Sequence, residues 1–315
     1  LALKKLGICE PKNILLADVM NEYVEWAKNN QSKNTYLSKC RSKKNIDVFL
    51  LTHVDEYKHT FQLHELTTSL IEKYKQYRCA QHLNGASINK ELNFISGLIK
   101  LANEWGYVIP NVTLRRYKEI QKSPRYFSHH EIHQLQTKSS HYLRQIIMIG
   151  LNTGMRIGEI LHLEWKHVNM TQHHIIVANT DSFHTKNRKD RMIPINSELQ
   201  SYFNMLKNTF IHPSTDQPTP RTKHQMKYVI CQPTGEPIAS VKKSFRRLLK
   251  RLNIQNASIH TLRHTFASNC VMNGVDLYTV KEFLGHQRIS TTEIYAHLSN
   301  EFKKKSIEKI QAKIK

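Results

Sequence analysis

Several features that would assign the chain to a common class of protein are missing from its sequence. The 315 residues include five cysteines, but none stands in a C-x-x-C spacing, so reduced thiols are a better interpretation than disulfides or a zinc site. The longest apolar run, Ile146 to Leu151, is interrupted by Gly150 and is too short to span a bilayer. The N-terminus carries neither a secretory leader nor a lipidation motif. We therefore expect a cytoplasmic protein with no membrane partner.

Acidic residues are scarce relative to basic ones. Lys and Arg number 47 against 25 Asp and Glu, which gives a formal net charge of +22 and a pI near 9.8. Hydrophobic residues make up 39% of the chain and aromatic residues 9%, a composition typical of folded domains rather than of disordered chains. A folded protein with such an excess of positive charge usually binds a polyanion, and nucleic acid is the first candidate.

The sequence also offers no convincing site for a metal or cofactor. Its 19 histidines include His129, His130 and His133, but neighbouring residues cannot share one helical face, and no carboxylate or cysteine completes a ligand set. A solvated helix start is the better interpretation of this run. No glycine-rich nucleotide-binding loop is present. We expect neither a metal nor an organic cofactor.

The first third of the chain has helical periodicity. Apolar residues recur on one helical face from Ser87 onward, and Gly106 is placed to end that helix. The face consists of Ile88, Leu92, Ile95, Ile99 and Ala102. Looser helical patterns at 15–27, 35–51 and 67–80 complete a small basic helical bundle, which we place at residues 14–109.

Residues 110–127 are predicted to be a basic linker. The segment holds two prolines and the cations Arg115, Arg116 and Lys118, and it shows little apolar periodicity. A basic connector between two basic domains suits a protein that wraps a DNA duplex, because phosphate contacts supply much of the affinity. These three cations are therefore candidate DNA-binding residues. A solvated connector with no such role is the alternative.

Beyond the linker the pattern becomes mixed. Ser128 and Glu131 form a capping box that opens a helix, and residues 174–178 and 191–195 read as two strands around a polar turn. These patterns predict a mainly α fold with a small β-sheet. We therefore place the second domain, residues 128–299, in the α+β class.

Three further segments complete this part of the chain. Residues 208–225 resemble a surface loop or insertion, and 228–231 resemble a short strand. The C-terminal residues 300–315 are basic with an apolar stripe, which packs either on their own core or on a neighbouring molecule.

Four separated segments concentrate side chains suited to phosphate. Arg156 begins a helix after Gly154, with Glu159 placed three residues later to pair with it. The turn between the two strands is dense in cations: Lys186, Arg188 and Lys189.

The other two segments follow later in the chain. A spacing of three puts His260 and Arg263 on one helical face, with His264 next to them. His286 precedes Tyr295 by nine residues. Each of the four segments alone has an explanation that involves no activity: a surface ion pair, a hairpin tip, a chance motif or a core tyrosine. Their joint occurrence in one chain is far less expected by chance.

This ordered set resembles the signature of the tyrosine recombinases, the phage-type integrases. The resemblance covers 128–299 and includes the flanking sequences T-G-M-R-I-G-E, H-T-L-R-H-T-F-A and I-Y-A-H. The region 14–109 resembles, more weakly, the SAM-like core-binding domain of that family. The resemblance implies cleavage and rejoining of DNA through a 3′-phosphotyrosyl intermediate, without metal or ATP.

The resemblance also implies individual roles. Arg156 and Arg263 would clamp the scissile phosphate, with Glu159 and His264 in support, and His286 would hydrogen-bond a phosphate oxygen. Tyr295 would be the nucleophile, His260 would assist as a base, and Lys186 would protonate the leaving 5′-oxygen. The strand turn lacks the glycine common in the family, so Lys189 remains an alternative for the catalytic lysine; Arg188 and Lys189 are otherwise predicted to bind DNA.

For partners, the resemblance implies double-stranded DNA and a homotetramer on two DNA sites that exchanges strands through a Holliday junction. Free protein would be a monomer or weakly associated, accessory DNA-bending proteins could take part, and the tail at 300–315 would pack in trans. Two alternatives stay open: a DNA relaxase resembling type IB topoisomerases, and a catalytically silent DNA-binding regulator.

Overall fold

The chain divides into two compact units after Ile120. The computed structural model describes residues 13–55, 57–119, 123–179, 190–211, 217–299 and 307. The predicted polar turn, with Lys186, Arg188 and Lys189, lies outside these described residues. So does the C-terminal tail except for Ile307.

The first unit is a four-helix arrangement that confirms the helical reading of this region. Its helices are α1 (Leu16–Asn30), α2 (Lys33–His53), α3 (Thr68–Ala80) and α4 (Gly85–Glu104), with a 3₁₀ turn at Leu63–Glu65. The side chains of Ser32, Thr67 and Asn84 cap α2, α3 and α4 by accepting a hydrogen bond from a backbone N–H three residues on. Gly106, at φ +80°, follows the end of α4 as expected.

Buried apolar side chains of all four helices form the core of this unit. Val19, Ile88 and Leu92 have no exposed surface, and Phe49 has almost none. The predicted helical face of α4 therefore packs inward, which is what its spacing of three and four residues requires.

The predicted linker needs a correction at its start, because residues 110–119 pack on the first unit. The side chain of Asn89 accepts a hydrogen bond from the Tyr117 backbone N–H and donates one to the Tyr117 carbonyl, both at 2.9 Å. Val112, Leu114 and Tyr117 contact the helical core. These apolar contacts, rather than the prolines and cations around them, determine where the segment lies. Arg115, Arg116 and Lys118 are exposed on this unit.

The second unit combines seven helices with two small sheets among its described residues. The helices are α5 (His129–Lys138), α6 (His141–Thr153), α7 (Ile157–Leu161), α8 (Ser197–Asn208), α9 (Lys242–Arg251), α10 (His260–Met272) and α11 (Leu277–Leu284). Short 3₁₀ segments lie at Trp165–His167, Lys223–Met226, Ile289–Thr291 and Glu293–Ser299. The capping box of Ser128 and Glu131 at the start of α5 is present.

The main sheet has three antiparallel strands, β1 (Val168–Asn169), β2 (His174–Val177) and β3 (Arg191–Pro194), in the order β1-β2-β3. The two strands predicted around the polar turn are therefore correct. In their register Ile175 lies opposite Ile193, and both are buried, whereas Ile176 and Met192 face outward.

The region 208–231 differs from its prediction. Where a surface loop or insertion was predicted, β4 (Thr209–Ile211) and β5 (Pro218–Pro220) pair antiparallel, and residues 228–231 make isolated bridges instead of the predicted strand. The reason is Arg221, whose guanidinium donates to the carbonyls of Leu206, Gln225, Tyr228 and Val229. A side chain thus takes backbone acceptors that a neighbouring strand would otherwise use.

Helices α6 and α10 lie against each other in the core of the second unit, with Ile146, Ile147 and Leu262 buried there. Together with α7, α11 and β3 they place the predicted site residues. Across the described part of the chain, none of the helices has the length and apolar character needed to cross a membrane.

Candidate active site

A sharp turn between α6 and α7 positions Arg156. Gly154 ends α6 in the left-handed conformation, at φ +63°, and a Cβ there would lie 2.4 Å from the Phe266 ring. Arg156 is then the N-cap of α7, and its backbone N–H donates to Glu159 Oε2 at 2.8 Å. The predicted pairing of Arg156 with Glu159 is present, with Nη1 3.0 Å from Oε1.

The Glu159 carboxylate is buried between two guanidiniums. Besides Arg156 it contacts Arg191, whose Nη1 and Nη2 lie 3.1 and 2.6 Å from Oε1 and Oε2. Burial alone would raise the pKa of Glu159, but the hydrogen bonds and charge of Arg191, followed by those of Arg156, outweigh it and hold the pKa below its usual value. Glu159 is therefore an ionised anchor between two cations.

Arg263 lies in the first turn of α10 and is the most deeply buried of the site arginines. Its Nη1 donates to the Gly154 carbonyl at 2.8 Å, and its Nη2 donates to the Leu284 carbonyl at 2.7 Å. Burial, reinforced by the charge of Arg156, lowers the pKa of Arg263 to about 9. The group still carries its charge at neutral pH, and neutral carbonyls compensate that charge less than a carboxylate would.

Three successive carbonyls at the end of α11 each accept a hydrogen bond from a different arginine. Arg191 Nε lies 2.8 Å from the Phe283 oxygen, Arg263 Nη2 lies 2.7 Å from that of Leu284, and Arg156 Nη2 lies 3.4 Å from that of Gly285. The last carbonyls of a helix lack intrahelical donors and carry partial negative charge. The C-terminus of α11 thus gathers three cations from distant parts of the chain.

His286 follows directly on this helix end. Gly285 caps α11 at φ +63°, and His286 Nδ1 then lies 2.9 Å from the Thr292 hydroxyl, which is fully buried. Burial, with the charges of Arg263 and Arg156, lowers the pKa of His286 to about 3. The imidazole is therefore neutral at physiological pH, with one ring nitrogen as a donor and the other as an acceptor.

Tyr295 lies in the 3₁₀ segment Glu293–Ser299 and is 1% exposed. Its hydroxyl oxygen is 2.6 Å from His264 Nδ1. Burial raises the pKa of Tyr295 to about 12, although the charge of Arg263 opposes this. Burial and the same arginine lower the pKa of His264. A protonated phenol therefore faces an uncharged imidazole that is able to accept its hydrogen.

His260 is the first residue of α10 and is exposed, with its ring centroid 4.8 Å from that of His264. It lines a cavity of about 410 Å³ together with Arg263, Lys242 and Arg246. The cations of α9 extend the positive charge of the site. The apolar part of the lining comes from Met155, Ile157, Phe245, Leu249, Ala257 and Ile259.

The structure brings together Arg156, Glu159, Arg263, His286 and Tyr295 around the end of α11, with His264 on the tyrosine. The predicted Lys186, Arg188 and Lys189 lie outside the described residues, and Arg115, Arg116 and Lys118 belong to the other unit.

Arg191, Thr292 and, on α9, Lys242 and Arg246 were not among the site residues predicted from the sequence. Arg191 had a signal, because it is a cation at the edge of an apolar strand. In the described part of the chain no group of three or more His, Cys, Asp or Glu is placed to hold a metal ion.

Comparison with known families decides the relationship. A family model described as the phage integrase family matches residues 125–301, more than half of the chain, and one described as the phage integrase SAM-like domain matches 15–122. The chain belongs to the phage integrase family. The resemblance to tyrosine recombinases is thereby confirmed, and so is the mainly α fold with small sheets.

This phage integrase family member is similar to several curated proteins. It is 28% identical to the integrase of Escherichia phage P2 over 245 residues, which cover 76% of this chain and 63% of the relative. Tyrosine recombinase XerC of Lactobacillus leichmannii is 28% identical over 230 residues, 70% of this chain and 74% of the relative. XerD of Staphylococcus aureus is 31% identical over 159 residues, half of each chain. The chain spans less than two thirds of the phage P2 integrase.

Solved structures share the fold of this phage integrase family member. The Tn1549 transposon integrase in complex with transposon right-end DNA has a TM-score of 0.69 and 18% identity, covering 92% of this chain and 99% of that one. A lambda integrase dimer bound to a COC′ core site has a TM-score of 0.69 and 16% identity, with coverage of 88% and 97%. The XerH post-cleavage complex with palindromic difH has a TM-score of 0.67 and 16% identity, with coverage of 93% and 84%.

Proposed function

We propose that this protein is a site-specific DNA recombinase that cleaves and rejoins strands through a phosphotyrosine formed by Tyr295. One observation carries the proposal: Arg156, Arg263, His286 and Tyr295 come from four separate segments of the chain and meet at the end of α11. Two cations and a neutral hydrogen-bond donor beside a tyrosine suit a phosphodiester that is attacked by a phenol.

The arginines and His286 would act on the phosphate. Arg156 and Arg263 neutralise its non-bridging oxygens, and both are fixed in advance by carbonyl and carboxylate contacts, so little reorganisation is needed when charge develops. We propose that the Thr292 hydroxyl donates to Nδ1 of the neutral His286, so that Nε2 carries the ring proton and donates it to a phosphate oxygen. A cationic His286 is not required, because the arginines already supply the charge.

Tyr295 supplies the new bond. Its oxygen attacks phosphorus, the bond from phosphorus to the 5′-oxygen breaks, and a 3′-phosphotyrosine and a free 5′-hydroxyl result. A phenol with a pKa near 12 must lose its proton in this step. His264, 2.6 Å away, holds the phenol and accepts this proton. Its neighbour His260 is retained as an assisting base at the phosphate.

The leaving 5′-oxygen needs a proton, and we propose Lys186 as its donor. Rejoining reverses the sequence: a 5′-hydroxyl attacks the phosphotyrosine and the phenol leaves. The phosphodiester energy is kept in the protein–DNA bond, so the reaction needs no ATP.

The assembly is part of the proposal. The Tn1549, lambda and XerH structures that share this fold are complexes with DNA, which supports double-stranded DNA as the partner. We propose that four copies act on two DNA sites and that residues 300–315 pack on a neighbouring copy. Arg115, Arg116, Lys118, Arg188 and Lys189 are proposed to contact the DNA backbone, in a cytoplasmic protein that associates with the nucleoid when bound.

A covalent-capture experiment tests the function without knowledge of the target. In a pool of duplexes with a randomised core, one strand of each duplex carries a nick just 3′ of a fixed position. The short fragment released by cleavage dissociates, so the strand cannot be rejoined and the adduct is trapped. Wild-type protein should retain a subset of sequences through denaturing washes, and Tyr295→Phe should retain none. If wild type captures nothing, the protein is a silent DNA-binding regulator instead.

The captured sequence then serves two further assays. Exchange of strands between two such sites identifies a recombinase, whereas relaxation of a supercoiled circle without exchange identifies a topoisomerase. A substrate whose 5′-bridging oxygen is replaced by sulfur needs no proton on its leaving group. This substrate should restore cleavage by Lys186→Ala, and Lys189→Ala should need no such rescue; the reverse pattern would make Lys189 the acid.

A further inference from the structure

Arg191, for which the sequence predicted no role, makes three hydrogen bonds within the site. It is the first residue of β3, and its side chain is 10% exposed. Both terminal nitrogens contact the two oxygens of Glu159, and Nε donates to the Phe283 carbonyl at 2.8 Å. The guanidinium of Arg191 therefore donates to α7, whose N-cap is Arg156, and to the end of α11, which precedes His286.

The contact with Glu159 affects how Arg156 is held. A carboxylate that faces a single arginine takes it in the bidentate, fork-on-fork arrangement. Here Arg191 occupies that arrangement, so Arg156 is left with one bond, from Nη1 to Oε1, and its Nη2 is directed toward the Gly285 carbonyl. Arg156 keeps a quarter of its side chain exposed, and its remaining donors stay available.

The contact with α11 affects where His286 lies. The Arg191 side chain packs on Gly285, where an added Cβ would be 2.9 Å from its Cδ and 3.2 Å from its Nε. The carbonyl it bonds, that of Phe283, precedes those bonded by Arg263 and Arg156. Arg191 thus joins β3 to the helix end from which His286 extends.

We propose that Arg191 is a positioning residue of the strand-cleavage reaction: it saturates Glu159 so that Arg156 presents its free donors to the scissile phosphate, and it fixes the end of α11 beneath His286. The proposal rests on the proposed function, because it concerns the rate of formation of the Tyr295 adduct.

Arg191→Met and Arg191→Lys test it on the captured DNA under single-turnover conditions. Because a displacement of about 1 Å at a catalytic group costs about 100-fold, we expect the cleavage rate of Arg191→Met to fall about 100-fold while DNA affinity changes less than about twofold. Arg191→Lys keeps the charge but not the fork, and should recover only part of the rate. Arg125→Met is the matched control, since Arg125 pairs with Glu131 in the capping box of α5; this variant should cleave at the wild-type rate.

Two comparisons separate positioning from a general loss of structure. On DNA with a methylphosphonate at the cleavage point, which has one charge fewer to neutralise, the defect of Arg191→Met should shrink at least tenfold. In an Arg156→Met background, Arg191→Met should cost clearly less than its loss of about 100-fold in the wild type, because only the effect through His286 remains. If Arg191→Met does not fold, as judged by thermal unfolding, Arg191→Lys carries the same comparisons.

Wild-type cleavage by Arg191→Met, or an equal loss on both DNAs and in both backgrounds, would overturn the assignment. Absence of an adduct with the wild-type protein is a different outcome, because it would contradict the proposed function itself.

Discussion

Replacement of Glu159 by Gln removes one negative charge from the centre of the site and leaves its shape almost unchanged. The carboxylate is 1% exposed and holds Arg156 and Arg191, with four hydrogen bonds of 2.6 to 3.1 Å when the Arg156 backbone N–H is included. A glutamine presents one oxygen in place of two and directs an NH₂ group at a guanidinium. Two arginines therefore lose their common counter-ion.

The expected loss of stability follows from burial. Breaking a buried ion pair costs about 3–5 kcal/mol, because the remaining charge stays uncompensated. Arg156 is partly exposed and can be hydrated, and the glutamine oxygen keeps one contact, so we take the lower limit, about 3 kcal/mol. With a denaturant slope of about 2–3 kcal/mol per molar urea, the midpoint of unfolding should fall by about 1 M.

Glu131→Gln is the matched control. Glu131 is also the third residue of its helix, closes a capping box and pairs with an arginine, Arg125, at 2.5 Å, but 21% of its side chain is exposed. Water replaces much of what the substitution removes, so the loss should stay at or below about 1 kcal/mol. The difference between the two variants isolates the effect of burial.

Trp165 provides the signal. It belongs to the second unit, and in a Trp26→Phe, Trp105→Phe background it is the only one of the three tryptophans that remains, so its fluorescence during urea unfolding reports that unit alone. Equal midpoints for Glu159→Gln and Glu131→Gln would refute the reasoning, since Glu159 would then not be a buried counter-ion.

Three further outcomes are expected. The pKa of His286 is near 3 in the folded protein, below that of the unfolded chain, so only the unfolded state binds the extra proton as pH falls below about 6.5. The stability of the wild-type protein should therefore decline on acidification toward pH 3. In urea titrations from pH 7 to 4, the stability of His286→Gln should decline less. Gly154→Ala places a Cβ against Phe266 at a positive φ and should lower stability by about 2–5 kcal/mol, whereas Gly106→Ala, with open space around it, should lose only about 1–2 kcal/mol. Deletion of residues after Ser299 should weaken assembly on DNA in gel-shift and cross-linking assays. Unchanged recombination by the truncated protein would contradict the proposed packing of the tail.

Local sequence rules were sufficient for the parts of the site that lie within one turn of chain. Gly154, Arg156 and Glu159 follow one another at helix-capping spacing, so the bend and the ion pair are predictable from those residues alone. The spacing of three likewise places His260 and Arg263 in the first turn of α10, where both line one cavity.

Contacts across long separations could not be predicted in this way. His264 and Tyr295 are 31 residues apart, and Arg191 and Glu159 are 32 apart. The first contact depends on the packing of the segment Glu293–Ser299 on α10, and the second on the packing of β3 beside α11. The absent strand at 228–231 has a similar cause, because Arg221 supplies donors from outside the segment. An apolar run identifies a buried segment, but not the source of its hydrogen bonds.

The identity of the amino acid joined to DNA shows directly whether Tyr295 is the nucleophile. Adduct trapped on the nicked duplex is digested with protease and nuclease, and the remaining nucleotide-bearing peptide is sequenced by mass spectrometry. We predict a peptide that carries a 3′-phosphate ester on Tyr295, with a free 5′-hydroxyl on the released fragment. An ester on any other residue, or attachment through a 5′-phosphate, would contradict it.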